Sequence, residues 1–290
     1  MPLAASELIL NSDDSIYHLN LHPEDIADTV ITVGDPDRVA EISKYFDTVE
    51  IKKTKREFTT HTGFLNGKRI TVISTGIGTD NIDIVINELD ALANIDLKTM
   101  TEKPKKKVLN FIRIGTSGAI QPNIKLDSFL LSEIAVGLDG LLHFYNTLKM
   151  QNDSLITSLE KHLAWQNFAV SPYAFDANKQ LFNTLSSKHT VSGITVTNTG
   201  FYGPQGRSIR LVPKLKDFYE KLVSFNHQTK QLTNLEMETA GIYGLAKLLG
   251  HRAISINAIL ANRATGEFSS KPSKTVTQLI QYCLEKIASD

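Results

Sequence analysis

Short β-branched runs alternate with longer stretches of helical spacing throughout the chain. Val30-Ile31-Thr32-Val33, Arg69-Ile70-Thr71-Val72-Ile73, Val108-Leu109-Asn110-Phe111-Ile112 and Ala253-Ile254-Ser255-Ile256 have the character of buried strands. Ser128 to Ala135 and Gly193 to Asn198 read as two more. Phe58 to Leu65, followed by Asn66-Gly67, predicts a strand entering a tight hairpin, because that turn needs positive φ at both central positions. Between the runs, apolar residues recur with helical period. Ile82, Val85, Ile86, Leu89 and Ala93 share one face behind Asp80, a candidate N-cap. Asn234 reads as the cap of a second helix, through Leu235, Leu245, Ala246, Leu248 and Leu249, that stops at Gly250. A C-terminal helix from Ser273 carries Val276, Leu279, Ile280, Cys283 and Ile287, and Asp153 to Trp165 and Asn178 to Leu185 are helical too. The alternation, with no interior linker or internal repeat, predicts one α/β domain over residues 1–290 on a mixed sheet, with 1–15 as an N-terminal extension.

Composition narrows the function classes. Thirty-one Lys+Arg balance 31 Asp+Glu, and a chain without net positive charge lacks the field that bulk nucleic-acid binding requires. The single cysteine, Cys283, excludes an intramolecular disulfide framework and any multi-cysteine metal site, and its neighbours make it a small core residue. The eight histidines show no metal-ligand spacing. Residues 1–15 lack the basic start and apolar stretch of a signal peptide. No apolar run approaches the ~20 residues that cross a bilayer, so the expectation is a cytoplasmic protein without membrane or nucleic-acid partners. Lys98 to Lys107, with five lysines and flanking acids, reads as a solvated surface loop between a helix and a strand.

Candidate chemistry gathers where strands end. Gly34-Asp35-Pro36-Asp37-Arg38, Thr75-Gly76-Ile77-Gly78 and Arg113-Ile114-Gly115-Thr116-Ser117-Gly118 read as three glycine turns, two of them with arginine. In an open α/β sheet, ligands bind beyond the carboxyl ends of strands, and glycine lets backbone N–H groups approach an anion. Arg38, Arg113 and Arg56 add planar forks for phosphate oxygens, and Thr116 adds a hydroxyl. There is no G-x-x-x-x-G-K-[ST], the segment after Gly76 lacks the third glycine of a dinucleotide fingerprint, and Gly-x-Ser-x-Gly is absent. The indicated ligand is a small free anion such as inorganic phosphate. Glu236-Met237-Glu238-Thr239 reads as a helix start. Its acids, two apart, point in different directions, so at most one faces a ligand. A carboxylate accepts from two sugar hydroxyls, and a methionine beside it packs on the sugar. Phe201-Tyr202-Gly203-Pro204-Gln205-Gly206-Arg207 offers an aromatic ring, an amide and a guanidinium to a planar heterocycle.

These motifs, together with Arg56-Glu57-Phe58-Thr59-Thr60 and Asn262-Arg263, stand in the order seen in the nucleoside phosphorylase family, and the chain most resembles its uridine phosphorylase branch from about Ile16 to Ile287. The resemblance implies a single α/β domain with a mixed, partly barrel-like sheet flanked by helices. It implies phosphate binding by Gly34, Arg38, Arg113 and Thr116, with Arg56 supplied by a neighbouring subunit. It assigns ribose to Met237 and Glu238, with Thr116 nearby and His18 lent by the neighbour. It assigns the base to Phe201, Gln205, Arg207 and Arg263. Arg113, Glu238 and Arg207 become the candidate catalytic residues. The implied reaction is reversible phosphorolysis of uridine to uracil and ribose 1-phosphate in pyrimidine salvage, with deoxyuridine and thymidine as further candidate substrates. The alternatives are a purine or broad-specificity phosphorylase and a non-catalytic nucleoside sensor. Shared sites imply a homo-oligomer, a hexamer ahead of a dimer. No organic cofactor is implied, and phosphate is the co-substrate.

Three positions depart from the family pattern. Gly203-Pro204 stands before Gln205 where the family commonly has Pro-Gly, although the spacing from Gln205 to Arg207 survives. Gly78-Thr79-Asp80-Asn81 replaces Gly-Gly-Pro-Ser, a region that with the acid at position 57 helps form an interface potassium site in bacterial relatives, so potassium is left open here. The Lys98 to Lys107 stretch is longer than in compact members.

Overall fold

The computed structural model describes residues 2–147, 150–165, 170–215 and 217–289. The chain opens with β1 (Thr29–Val33), α1 (Asp37–Ser43), the meander β2 (Thr48–Lys55), β3 (Phe58–Leu65) and β4 (Lys68–Ser74), and then α2 (Thr79–Asn94). A small hairpin, β5 (Ile95–Asp96) and β6 (Thr101–Glu102), precedes the long strands β7 (Asn110–Ala119) and β8 (Phe129–Gly137). Next come α3 (Asp153–Leu163), β9 (Tyr173–Asp176), α4 (Lys179–Leu185), β10 (Thr190–Thr197) and α5 (Phe218–Ser224). The chain finishes with β11 (Asn226–His227), β12 (Lys230–Glu236), α6 (Thr239–Leu248), β13 (Arg252–Asn262), β14 (Glu267–Phe268) and α7 (Pro272–Ser289).

One mixed sheet runs β11-β12-β10-β8-β13-β7-β1-β4-β3-β2, and β12 also pairs with β7. That second pairing, through Asn234 opposite Ala119 and Leu235 opposite Gly118, closes β12, β10, β8, β13 and β7 into a ring. The expected partly barrel-like sheet is therefore a five-stranded closed part with a four-stranded wing. Within it, β1, β4, β7 and β13 are parallel neighbours whose central residues are buried on both faces. This is why those segments read as unbroken apolar runs. The strand β2, half exposed at the edge, instead alternates intermediate and exposed positions and gave no such run.

Helices cover the sheet in three apolar clusters. One joins α2 and α6 with Ile16, Leu19 and Leu21 of the N-terminal segment. A second packs α1, α4 and α7, including Cys283, against the wing and β13. The third sets α3 and α5 against β10 and β12. Gly241 lets α6 approach α2 closely, since a Cβ there would stand 3.1 Å from Thr79 Cγ2. From α6, Tyr243 reaches under the sheet. Its hydroxyl donates to Ser132 O at 2.7 Å and accepts from Ser255 N–H at 2.8 Å, so one buried group ties α6 to β8 and β13.

Four local expectations are corrected. Asn234 caps no helix. It lies inside β12, where its side chain accepts from Thr195 and donates to Ser117 across the closed ring, and α6 begins only at Thr239. Asp80 is likewise inside α2, whose N-cap is Gly78. The run through Phe111 does not end at Gly115, because β7 continues to Ala119, so the third "glycine turn" is strand. Finally, Lys98 to Lys107 is partly ordered pairing. Lys103 Nζ donates to the Ala93 and Leu92 carbonyls at 2.9 and 3.2 Å, closing the end of α2, while Lys107 pairs with Asp28 at 2.5 Å. Its charge is largely spent on the protein's own carbonyls and carboxylates.

The Tyr243 hydroxyl gives a test of this architecture. Tyr243→Phe is expected to destabilise the fold by about 2–4 kcal/mol, because two buried backbone groups lose their partner. A lower urea midpoint at fixed protein concentration reads the loss, and an unchanged midpoint would contradict the docking role given to it.

Candidate functional site

The strand β7 supplies the floor of a cavity of about 640 Å³. Side chains two apart share a face of a strand, so Arg113 and Gly115 face the same way, and β13 places Asn257 directly opposite Gly115. The Arg113 side chain lies forward over Gly115. A Cβ at Gly115 would fall 1.8 Å from Arg113 Nη1 and 2.6 Å from Asn257 Oδ1, so only glycine leaves the guanidinium its place. Nη1 donates to Asn257 Oδ1 at 2.7 Å, and Nη2 meets Glu238 at 2.5 Å and Glu236 at 3.3 Å. Burial opposes the Arg113 charge, but the two carboxylates outweigh burial and raise its pKa. Arg38 enters from the first turn of α1 and donates weakly to Ile114 O at 3.4 Å, and burial lowers its pKa. Gly34, Gly76, Thr116 and Ser117 complete this end.

The two acids sit at the exit of β12, before the helix rather than within it. Glu236, the last strand residue, accepts from Glu238 N at 3.0 Å, Thr239 N at 2.9 Å, Thr239 Oγ1 at 2.8 Å and Thr197 Oγ1 at 2.5 Å. It therefore caps α6 and fixes the turn. Glu238, next to Met237 in the cavity wall, takes Gly78 N–H at 2.9 Å on one oxygen and Arg113 on the other. Gly78 has φ +101°, a conformation open to glycine and costly for other residues, and this aims its N–H at Glu238. Burial raises the Glu238 pKa against the pull of Arg113, as expected where two carboxylates share one cation.

The third wall is the loop after β10, with a single helical turn at Gly203–Gln205. Arg207 stacks 3.9 Å over the Phe201 ring, donates to Phe201 O at 2.7 Å and bonds the Gln205 side-chain oxygen. Burial, then the nearby Arg263 charge, brings the Arg207 pKa down to about 10. Phe201, Gln205 and Arg207 all line the cavity. Arg263 does not. It stacks 4.0 Å over Tyr219 and donates to Gln205 O at 2.5 Å, holding the loop by its backbone. Asn198 Nδ2 holds the same loop at Pro204 O at 3.0 Å. Sequence patterns did not mark Asn198, Tyr219 or Asn257, because each acts through a contact distant in the chain.

His18 and Arg56 lie outside the cavity lining. Arg56 occupies the two-residue loop between β2 and β3 at φ +55°, 5.9 Å over the Tyr17 ring. The neighbouring His18 is clamped by Glu88 of α2, whose carboxylate accepts from His18 Nδ1 at 2.6 Å, His18 N at 3.1 Å and Leu19 N at 3.0 Å. The two residues thus share one region of surface around Tyr17. Among the described residues, no group of three or more His, Cys, Asp or Glu side chains is arranged to hold a metal, and no helix is long and apolar enough to cross a membrane.

Comparison with known proteins bears on this arrangement. The chain is 34% identical over 258 residues to a uridine phosphorylase of Thermococcus kodakarensis, covering 89% of this chain and 81% of that one. It is 30% identical over 267 residues to a uridine phosphorylase of Haemophilus influenzae, covering 91% and 92%. Its structure superimposes with a TM-score of 0.88 on the crystal structure of a Trypanosoma brucei nucleoside phosphorylase that shows uridine phosphorylase activity, at 26% identity over 98% of this chain and all of that one. Residues 28–289 match the description of the phosphorylase superfamily, and the chain belongs to that family.

Proposed function

We propose that this enzyme carries out reversible phosphorolysis of uridine, with deoxyuridine and thymidine as further substrates, in cytoplasmic pyrimidine salvage. The observation that carries the reading is that one cavity is lined by Arg38 and Arg113, by Met237 and Glu238, and by Phe201, Gln205 and Arg207. These three sets suit phosphate, pentose and base.

In the reaction a phosphate oxygen forms a bond to the anomeric carbon while the bond from that carbon to the ring nitrogen of uracil breaks. The bonding pair leaves with the base, which takes a proton from water. The transition state carries positive charge on the sugar and negative charge on the base. Phosphate held by Arg38, Arg113, Thr116 and the Gly34 backbone puts anionic oxygens beside the sugar cation and removes much of the entropic barrier. Glu238 orients the sugar through two hydroxyls, and Gln205 and Arg207 take the charge that builds on the base. No protein nucleophile and no organic cofactor enter.

Within the chain, Arg113 and Glu238 hold each other, so phosphate alone or nucleoside alone must break a buried pair and leave one partner without its counter-charge. Both ligands together give each group a new partner. Ternary-complex formation is therefore favoured over either binary complex. A purine reading would place an acid near the departing ring to protonate it; this chain has the cation Arg263 against the base loop instead. His18 and Arg56 lie away from their own chain's cavity, which supports sites completed by a neighbour. We place the enzyme in a dimer at least, and a hexamer as trimer of dimers. The Glu88 clamp takes His18 Nδ1 and leaves Nε2 for the neighbour's ribose 5′-hydroxyl.

Ultraviolet absorbance with uridine, thymidine, inosine and adenosine, each with and without phosphate, tests the activity. Phosphate-dependent release of uracil is expected. Release of purine bases alone would replace this reading with a purine phosphorylase, and tight uridine binding without release would make the protein a sensor. Arg207→Ala should raise the uridine KM and lower kcat, together costing about 10²-fold in kcat/KM, as for loss of a donor to developing charge. Unchanged turnover would remove Arg207 from base recognition. Shared sites are tested by mixing two inactive proteins, Arg56→Ala and Glu238→Gln, and allowing subunits to exchange. Hybrids would then contain one intact site, and activity should return to about a quarter of the wild-type level. No recovery after proven exchange would put each site within one chain.

A further inference from the structure

Arg113 is held by a group that no sequence motif marks, and the hydrogen bonds behind that group form a directed chain. Glu236 can only accept. The Thr239 hydroxyl, 2.8 Å away, therefore gives it its single proton. The same Thr239 hydroxyl lies 3.0 Å from the Ser255 hydroxyl oxygen and links it to the chain. The Ser255 oxygen in turn accepts from Asn257 Nδ2 at 3.3 Å. This turns Asn257 Oδ1 toward Arg113 Nη1, at 2.7 Å. The other end of the chain demands the same orientation, because a guanidinium can only donate. Ser255, Asn257, Thr239 and Glu236 are all buried, so each link excludes water as a substitute. The register of β13 against β7 sets Ser255 opposite Arg113 and Asn257 opposite Gly115, and the bare Gly115 leaves room for the guanidinium between them.

We infer that Asn257 is a positioning residue for phosphate: the Glu236-Thr239-Ser255-Asn257 chain presents a neutral acceptor that fixes Arg113 over Gly115 without neutralising it. The anchor has to be neutral. Arg113 already faces Glu236 and Glu238, and a third carboxylate would add another negative charge that repels phosphate. The anchor also has to accept, since an apolar side chain of this size would leave Nη1 buried and unpaired. An asparagine whose nitrogen is taken by a serine oxygen meets both conditions. This inference rests on the reading of Arg113 as a phosphate ligand.

Calorimetric titration with inorganic phosphate, alongside steady-state KM values for phosphate and uridine, tests the inference. In Asn257→Asp, phosphate affinity should fall at least about tenfold, or 1.4 kcal/mol, and the phosphate KM should rise in step. The uridine KM should change far less, because Glu238 keeps its Gly78 contact. Asn257→Ala should weaken phosphate binding in the same direction. Ser255→Ala, which removes a link outside the cavity lining, should do so by a few-fold and keeps the test open should an Asn257 variant fold poorly. Variants that lose thermal stability but keep the wild-type phosphate affinity, or that weaken phosphate and uridine equally, would overturn the positioning role. Wild-type protein that binds no phosphate, either alone or beside a nucleoside analogue that it cannot cleave, would overturn the underlying assignment of Arg113 instead, and the inference with it.

Discussion

A buried guanidinium between two buried carboxylates is the constraint around which this fold is arranged. Isolating any one of these charges from water would cost several kcal/mol. The protein therefore has to deliver Arg113, Glu236 and Glu238 to one place with their remaining hydrogen bonds filled. The closed ring of strands does this. Pairing of β12 with β7 brings the carboxyl ends of both strands together, so the acids that end β12 arrive over the arginine of β7. The first turn of α6 fills the lone pairs of Glu236, and Gly78 at the start of α2 fills one oxygen of Glu238. Both helices are thus attached to the same charge cluster, and their mutual packing through Gly241 keeps the two N-termini in position.

The sequence disclosed the parts of this arrangement that depend on local order. Parallel strands buried on both faces must be apolar throughout, so Val30 to Val33 and Arg69 to Ile73 declared themselves. The loop from Phe201 to Arg207 and the pair Glu236/Glu238 were visible because their chemistry is contiguous. What stayed hidden depends on register. Asn234 resembles a helix cap in one dimension because it is polar beside an apolar run. In the closed ring its polarity is used across strands, on Thr195 and Ser117. Gly115 looked like a turn glycine, although its purpose is to leave space for a side chain two residues earlier in the same strand. Asn257 carries no pattern at all, and its meaning comes from standing opposite Gly115. The role of Arg263 was legible only as a position near the base. The contact with the backbone of Gln205 needs the fold.

Zero net charge, which at the level of composition only argues against a polyanion partner, conceals strong local segregation. Lys103 and Lys107 are committed to helix carbonyls and to Asp28, and the exposed pairs Lys44–Glu41 and Lys106–Glu102 balance each other on the surface. Arg38 and Arg113 instead line the cavity, where burial keeps their fields from being screened by salt.

The pairing of Arg113 with Glu238 also bears on how a rigid scaffold discriminates. Each group is a poor binder alone, because its first ligand must displace a partner already held at 2.5 Å in a medium of low dielectric. A ligand that supplies only an anion, or only hydroxyls, recovers part of that loss. In the proposed complex a phosphate lying against a pentose would recover both parts in one geometry, with its oxygens on the guanidinium and the sugar hydroxyls on the carboxylate. In the proposed reaction the arginine must stay fixed while its partner Glu238 turns to the sugar, which calls for contacts independent of Glu238. Glu236 is one, and Asn257 is a neutral one from the opposite strand, buried behind the cavity lining.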